Sequence, residues 1–288
     1  MKRRIDDTLQ LVPAIDSSDQ CSLILAPLFA TAALGGDKLS ATNVVFAKGG
    51  DYCEGRCAKS CTESAFQFAE ALVSHAVATH KPAQLVLLGF SAGAQFWNRF
   101  VAVSRTLETL KAQTHVSLVL GTSSSWLYLH PLRINPALEN VTLDSVLTAS
   151  DFTVPEVTVE GYNSWKYGLD NIPTYLWNEG DSIELIRRRV LSYPTTYILV
   201  SDDTKGGDSL DSSPQALIQC KSHRFERASI YVHYLRSVCA ELCGANGIDV
   251  VANAIIVHEC GHDAGKVFAQ KSVRDVVFGE ASAKKSSL

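Results

Sequence analysis

The chain has 288 residues, 46% hydrophobic and 19% charged, with 26 basic against 30 acidic side chains. That supplies enough apolar surface for a large core and excludes a disordered chain, a collagen-like repeat or a disulfide-dense miniature scaffold. A formal net charge of −4 gives no electrostatic reason to bind nucleic acid or an anionic membrane surface.

The start, Met1 to Asp7, is basic but runs straight into acids, and no apolar stretch follows within ten residues. This argues against a secretory signal and for a cytoplasmic protein. The stretch from Cys21 to Leu34 is too short to cross a bilayer and is interrupted by Pro27, so no membrane span is expected. It reads instead as a buried strand over Ser22 to Pro27 with a loop after it. In that compartment the eight cysteines are expected to be reduced thiols. Cys53, Cys57 and Cys61 stand four apart, as do Cys239 and Cys243. Thiolates so spaced meet on a helix, but the spacing fits no common zinc or iron–sulfur signature and Gly55 weakens any helix there. No metal and no cofactor is expected, and Cys239 and Cys243 read as packing residues.

Ser60-Cys61-Thr62-Glu63 has the form of a capping box for a helix whose inner face is Phe66, Ala69, Leu72, Val73, Ala76 and Val77. Gln84 to Phe90 is a continuous apolar strand, and a helix beginning at Ala92 would bury Phe96, Phe100, Val103 and Leu107. Val116 to Gly121 is the next strand. From Thr122 to Pro194 no good strand appears, yet Trp126, Trp165 and Trp177 lie there with Tyr128, Tyr162, Tyr167 and Tyr175. A long aromatic-rich insertion reads equally as a cap or pocket wall and as a peripheral packing layer. In the first case Phe90, Trp126, Tyr162 and Trp165 are the candidate pocket residues. Arg187-Arg188-Arg189 reads as a solvated face near a helix carboxyl end, where cations suit the dipole. Strands follow at Thr196 to Ser201 and Val250 to Val257. Between them a helix after Phe225 would bury Tyr231, Leu235, Val238 and Leu242. The tail from Ala281 to Leu288 has the composition of a disordered terminus. Continuous rather than alternating apolar strands, separated by helical segments, imply a mostly parallel, doubly wound α/β sheet covered on both faces. The expected organisation is a single domain over 1–288, with 122–194 an insertion within it.

Gly89-Phe90-Ser91-Ala92-Gly93 fits G-x-S-x-G. A strand leads into it and an amphipathic helix leads out, the context in which this motif forms a nucleophile elbow. Both glycines are expected to permit the tight turn without Cβ clashes. The bland alternative is that Ser91 only caps the helix. A serine hydroxyl attacks only when a base takes its proton and an acid orients that base. In this architecture the acid and the histidine follow the serine in chain order, at the ends of later strands. Thr196 to Ser201 ends at Asp202-Asp203-Thr204, and Val250 to Val257 is followed by His258 and His262.

At these residues the sequence resembles the α/β-hydrolase superfamily, and more narrowly a group of microbial and fungal serine hydrolases. The resemblance is carried by LGFSAGAQ (Leu88 to Gln95), YNSWKYGLDNIPTYL (Tyr162 to Leu176), the stretch from Tyr197 to Arg227 with DDT, SLDSSPQA and RFER, and HECGHDAGKVF (His258 to Phe268). It implies that Ser91 is the nucleophile, His262 the base and Asp203 the acid, with Asp211 the alternative acid. Arg224 and Arg227 of RFER read as structural salt-bridge residues. The resemblance also implies an oxyanion hole made by the Ala92 amide and a second donor from a loop that precedes Ser22 in the family. Arg3 to Leu11 looks like the helix after that loop, so the strand before it is expected to be absent and the sheet shortened at its amino-terminal side. Arg3, Arg4 or an insertion residue would then supply the second donor, and the Ser22 to Pro27 strand would have to move beside Gln84 to Phe90.

His258-Glu259-Cys260-Gly261-His262 also fits H-E-x-x-H, and Gly265 extends it to the opening of a metzincin zinc site. The third histidine of that pattern is here Phe268, and the chain has no methionine after Met1 for the methionine turn. The β-branched end of Val250 to Val257 favours a strand immediately before His258 over a helix through the motif. Zinc proteolysis is thus a remote alternative. The main expectation is hydrolysis of a small-molecule carboxylic ester or related acyl compound through an acyl-enzyme. The alternative is a hydrolase-like binding protein, weak or inactive for want of part of its oxyanion hole. Oligomeric state and substrate identity are not legible.

Overall fold

The computed structural model describes residues 22–27, 29–31, 45–48, 50–59, 61–156, 159–205, 209–241 and 251–279. The readings of Met1 to Asp7, Arg3 to Leu11, the Arg3 and Arg4 donors, Leu242, Cys243 and the tail Ala281–Leu288 lie outside these residues. In chain order the elements are β1 (Ala30–Thr31) and β2 (Val45–Phe46), a small parallel pair; α1 (Ala65–His80); β3 (Gln84–Phe90); α2 (Ala92–Val103); and α3 (Arg105–Leu110). Then come β4 (His115–Gly121), the antiparallel pair β5 (Arg133–Ile134) and β6 (Phe152–Thr153), α4 (Ile183–Leu191), β7 (Thr195–Val200) and α5 (Pro214–Leu217). The chain continues through α6 (Arg224–Tyr234), β8 (Ala252–Val257), α7 (Ala264–Ala269) and α8 (Lys271–Phe278).

The central sheet runs β3-β4-β7-β8, every pair parallel. Its register sets Phe90 opposite Gly121 and Val200 opposite Val257. The carboxyl ends of the strands therefore share one edge. Successive strand residues point to opposite faces, and both faces are covered. Leu87, Leu118, Leu120, Tyr197 and Leu199 pack into the larger core with residues of α1, α2 and α6. Val119, Ile198, Val200 and Val257 pack against Val267, Phe268, Val273 and Val277 of α7 and α8. This is the doubly wound α/β arrangement expected, and burial on both sides is why its strands read as unbroken apolar runs.

Several local expectations are corrected. Ser22 to Pro27 is not a strand: it makes no ladder, and Leu23 and Leu25 are exposed. An apolar run specifies a strand only where a partner edge accepts its hydrogen bonds, and Pro27 has no N–H to donate. Among the described residues β3 therefore pairs only with β4, and its other edge borders a cavity of about 1170 Å³ that Ser22 to Pro27 helps to line. The capping box of α1 lies at Ser64 and Gln67, not at Ser60 and Glu63. Ser64 Oγ accepts the Gln67 N–H at 3.1 Å, and Gln67 Oε1 accepts the Ser64 N–H at 2.7 Å. Upstream, Cys57 and Ser64 form an isolated antiparallel β-bridge and the Ala58 N–H donates to the Glu63 carbonyl; Ser60 lies outside the described residues. The helix from Ala92 divides at Ser104, whose hydroxyl accepts the Leu107 N–H and starts α3. The helix after Phe225 passes from α6 into a π-helical turn, Leu235–Cys239.

In the aromatic-rich interval, residues 121–130 are buried throughout. Trp126 stacks on Tyr231 with ring centroids 4.9 Å apart, and Gln219 bonds both the N–H and the carbonyl of Trp126. The solvated-face reading of the arginine run fails at Arg189, which is buried, pairs with Asp181 at 2.8 Å and donates to the Ala102 carbonyl at 2.7 Å. All six cysteines among the described residues are free thiols.

Candidate active site

Three turns at the carboxyl edge of the sheet bring the motif residues together. Ser91 follows β3 with φ +55° and ψ −114°. A non-glycine residue held there stores strain, of order 1–3 kcal/mol, that the surrounding packing must offset. The N–H of Ser91 donates to the Gly121 carbonyl at 2.8 Å, which anchors the elbow to the neighbouring strand. A Cβ at Gly89 would stand 2.4 Å from the Gly93 carbonyl oxygen, so residue 89 has no space for a side chain. Gly93 differs: a Cβ there would meet nothing within 4 Å. The two glycines look equivalent in the motif, yet only the first is required by contact, because a Cβ at Gly89 would run into the backbone of Gly93 and Ala94 whereas one at Gly93 would point into open space.

His262 sits in the turn after β8. Its Nε2 lies 2.9 Å from Ser91 Oγ, and its Nδ1 lies 2.7 Å from Asp203 Oδ2. Asp203 follows β7 and is 2% exposed. Its other oxygen, Oδ1, lies 3.7 Å from Arg224 Nη1 at the start of α6. Asp211 is engaged elsewhere: Oδ2 accepts the Tyr167 hydroxyl at 2.9 Å and Oδ1 the Ser213 N–H at 3.1 Å. Burial opposes its ionisation, but hydrogen bonds from Ser213 and Tyr167 and the nearby Lys166 hold its carboxyl below the usual range. The Phe90 ring lies 5.0 Å from that of His262, with Phe268 6.0 Å from Phe90.

Residues 258–263 form a turn rather than a helix, so the two histidines do not share a helix face. His258 Nδ1 faces Ser201 Oγ at 2.8 Å, away from His262's partners. Phe268, where a zinc pattern would need a third histidine, is buried among apolar side chains beside Phe90. Among the described residues no group of three potential ligands is placed to hold a metal ion.

Ala92 opens α2, and amides in a helix's first turn have no partner within the helix, which leaves its N–H suited to a developing negative charge beside Ser91. Of the four expected pocket residues only Phe90 lines the cavity that contains Ser91 and His262. Trp126 is buried in the core, Trp165 donates its indole N–H to the Glu54 carbonyl at 2.9 Å, and Tyr162 donates its hydroxyl to the Pro131 carbonyl at 3.2 Å. The cavity wall comes instead from Ile24, Phe96, Trp97, Phe268 and Phe278. Aromatic density in sequence does not say which aromatics face a site, since the core takes them equally well.

Sequence reasoning passed over Asp202. Its Oδ1 accepts the Cys260 N–H at 3.2 Å and its Oδ2 the Gly261 N–H at 2.8 Å. The signal was present as the Asp202-Asp203 doublet at a strand end: one carboxylate meets the imidazole and the other meets the backbone that carries it.

No protein-family model matches the chain, and no curated protein matches it. Solved structures similar to it include two hydrolases. One is LpqC, a poly(3-hydroxybutyrate) depolymerase from Bordetella parapertussis, 20% identical with TM-score 0.49 over 79% of this chain and 64% of that one. The other is poly(aspartic acid) hydrolase-1 from Sphingomonas sp. KT-1, 19% identical with TM-score 0.48 over 76% of this chain and 65% of that one. The chain thus spans just under two thirds of the length of each.

Proposed function

We propose that this chain is a serine hydrolase of the α/β-hydrolase type that cleaves a carboxylic ester or a related acyl bond. The observation that carries the reading is the unbroken relay from Ser91 Oγ through His262 to Asp203, at 2.9 and 2.7 Å, built from turns that follow three different strands. A structural serine would need neither the strained φ of Ser91 nor an imidazole on its hydroxyl.

In this mechanism His262 Nε2 accepts the hydroxyl proton as Ser91 Oγ attacks the acyl carbon, and Asp203 keeps the imidazole oriented through Nδ1–H while it carries the extra charge. The Ala92 amide donates to the tetrahedral oxyanion. His262 then gives its proton to the departing alcohol. Water, deprotonated by the same nitrogen, hydrolyses the acyl-enzyme and restores Ser91. The apolar wall beside Ser91, with Phe90, Phe96 and Trp97, suits an acyl or aryl group better than a charged one.

Incubation with a fluorophosphonate probe tests the reading. Labelling of the native protein that disappears in Ser91→Ala is the expected result. Absence of labelling in folded protein would favour a binding protein on the same scaffold, and labelling that survives Ser91→Ala would remove Ser91 as the nucleophile.

A further inference from the structure

We propose that Arg224 is a positioning residue of the triad, its guanidinium serving as the counter-ion that holds Asp203 against His262; this rests on the serine-hydrolase reading above. Arg224 Nη1 stands 3.7 Å from Asp203 Oδ1, the oxygen not bonded to the imidazole, and the two side chains are only 3% and 2% exposed. Asp203 is thus flanked by His262 on one oxygen and by a buried cation on the other.

Of the other four buried arginines among the described residues, Arg189 pairs with Asp181 away from the site, and the remaining three are held by backbone carbonyls. Arg99 donates to the carbonyls of Cys53 and Lys166. Arg133 donates to four carbonyls, those of His130, Leu132, Tyr162 and Tyr167. Arg227, one turn along α6, donates to those of Cys220, Ser124 and Asp211. Arg224 bonds the Ser209 hydroxyl at 2.9 Å through Nη2, and its buried Nε has no hydrogen-bond partner. It stands at the first residue of α6, the positive end of the helix dipole, where a cation is disfavoured. Burial pushes its guanidinium down, and Asp203 is the group that opposes this. A buried charge with so few hydrogen bonds is retained only where an opposite charge compensates it.

Other charged groups around the pair are committed. Asp202, on the same turn as Asp203, is bonded to the amides of Cys260 and Gly261. Asp263, on the His262 turn, accepts the Lys266 N–H at the start of α7. On the α6 side, His223 accepts the Glu226 N–H and Arg227 adds a like charge. Asp203 is the sole carboxylate within ion-pair distance of Arg224 among the described residues.

A positive charge behind the acid opposes a second positive charge on the imidazole. Removing it therefore moves the pH of half-maximal Ser91 labelling upward. The experiment is the fluorophosphonate labelling rate against pH for the native protein, Arg224→Gln and Arg224→Lys. Arg224→Gln is expected to raise the midpoint by about 0.5–1 pH unit and to lower the plateau rate roughly tenfold. Arg224→Lys keeps the charge and is expected to hold the native midpoint even where its rate falls. A midpoint unmoved in Arg224→Gln, or moved alike in both variants, overturns the assignment. Should Arg224→Gln not fold, Arg224→Lys decides alone: a native midpoint supports the counter-ion role and a displaced one removes it. Native protein that takes no probe overturns the hydrolase reading and this one together, whereas labelled native protein with an unmoved Arg224→Gln midpoint removes only the role of Arg224.

Discussion

Asp202 Oδ2 accepts the Gly261 N–H at 2.8 Å, which ties the turn carrying the acid to the turn carrying the imidazole. A second bond, from the Cys260 N–H to Asp202 Oδ1, prevents rotation about the first. Gly261 itself adopts φ +56°, a conformation that would be strained for another residue. Asp202→Asn leaves one amide acceptor in place of two carboxylate oxygens. The fluorophosphonate labelling rate at Ser91 is expected to fall roughly tenfold, since small misplacements of a catalytic group carry large rate penalties. An unchanged rate in folded Asp202→Asn would show that the turn holds its shape without the clamp.

The acid is tested by a pair of substitutions. Asp203→Asn removes the acceptor that keeps Nε2 of His262 free of its proton, and a change of this kind costs on the order of 10⁴ in turnover in a serine triad. Asp211→Asn, whose carboxylate faces Tyr167 and Ser213, is expected to leave the labelling rate within about threefold of native. The reverse ranking would transfer the acid role to Asp211. Both variants need only the probe and an intact-mass measurement.

The two elbow glycines are expected to diverge. Gly89→Ala places a methyl 2.4 Å from the Gly93 carbonyl oxygen, which the packed elbow cannot yield, and should destabilise by about 3 kcal/mol or more. Gly93→Ala puts a methyl into open space, in the first turn of α2, where the preference of a helix for alanine over glycine is at most roughly 1 kcal/mol. Its thermal midpoint should match or exceed the native one. Thermal unfolding of both variants reads the difference directly.

Stability should depend on pH through His130. Burial, with Arg187 adding to it, pushes this imidazole down to about 4, against about 6.5 in an unfolded chain. Because the unfolded state binds the proton first, the contribution of neutral His130 is present above pH 6.5 and is lost as pH falls from 6.5 to about 4. Within that window the slope approaches ~1.4 kcal/mol per pH unit for one proton. Urea midpoints measured from pH 7 to pH 4 should show this decline, and His130→Asn should flatten it.

Local signals in the sequence were sufficient for the sheet and for the elbow. Gln84–Phe90, His115–Gly121, Thr195–Val200 and Ala252–Val257 announce themselves as largely apolar runs because both faces of the sheet are packed, the central pair β4 and β7 most fully, and a turn between strand and helix marks Ser91. Ser22 to Pro27 has comparable apolarity and is not a strand, since a ladder requires a partner that a run cannot specify by itself. The same limit applies to the aromatics, where Trp126 and Phe90 carry equal promise in sequence but one fills the core and the other faces His262.

What the sequence determined alone is the set of chemical groups, the order of the four central strands, and the position of each reactive side chain just beyond a strand end. Which of those ends meet was decided only by the parallel register of β3, β4, β7 and β8. That register brings His262 to Ser91 across 171 positions, sets Asp203 rather than Asp211 against the imidazole, and sets Arg224 behind Asp203. Chain order fixes which side chains stand near strand ends, because apolar periodicity is a local property; distances of a few ångströms between separate turns depend on how the whole sheet packs.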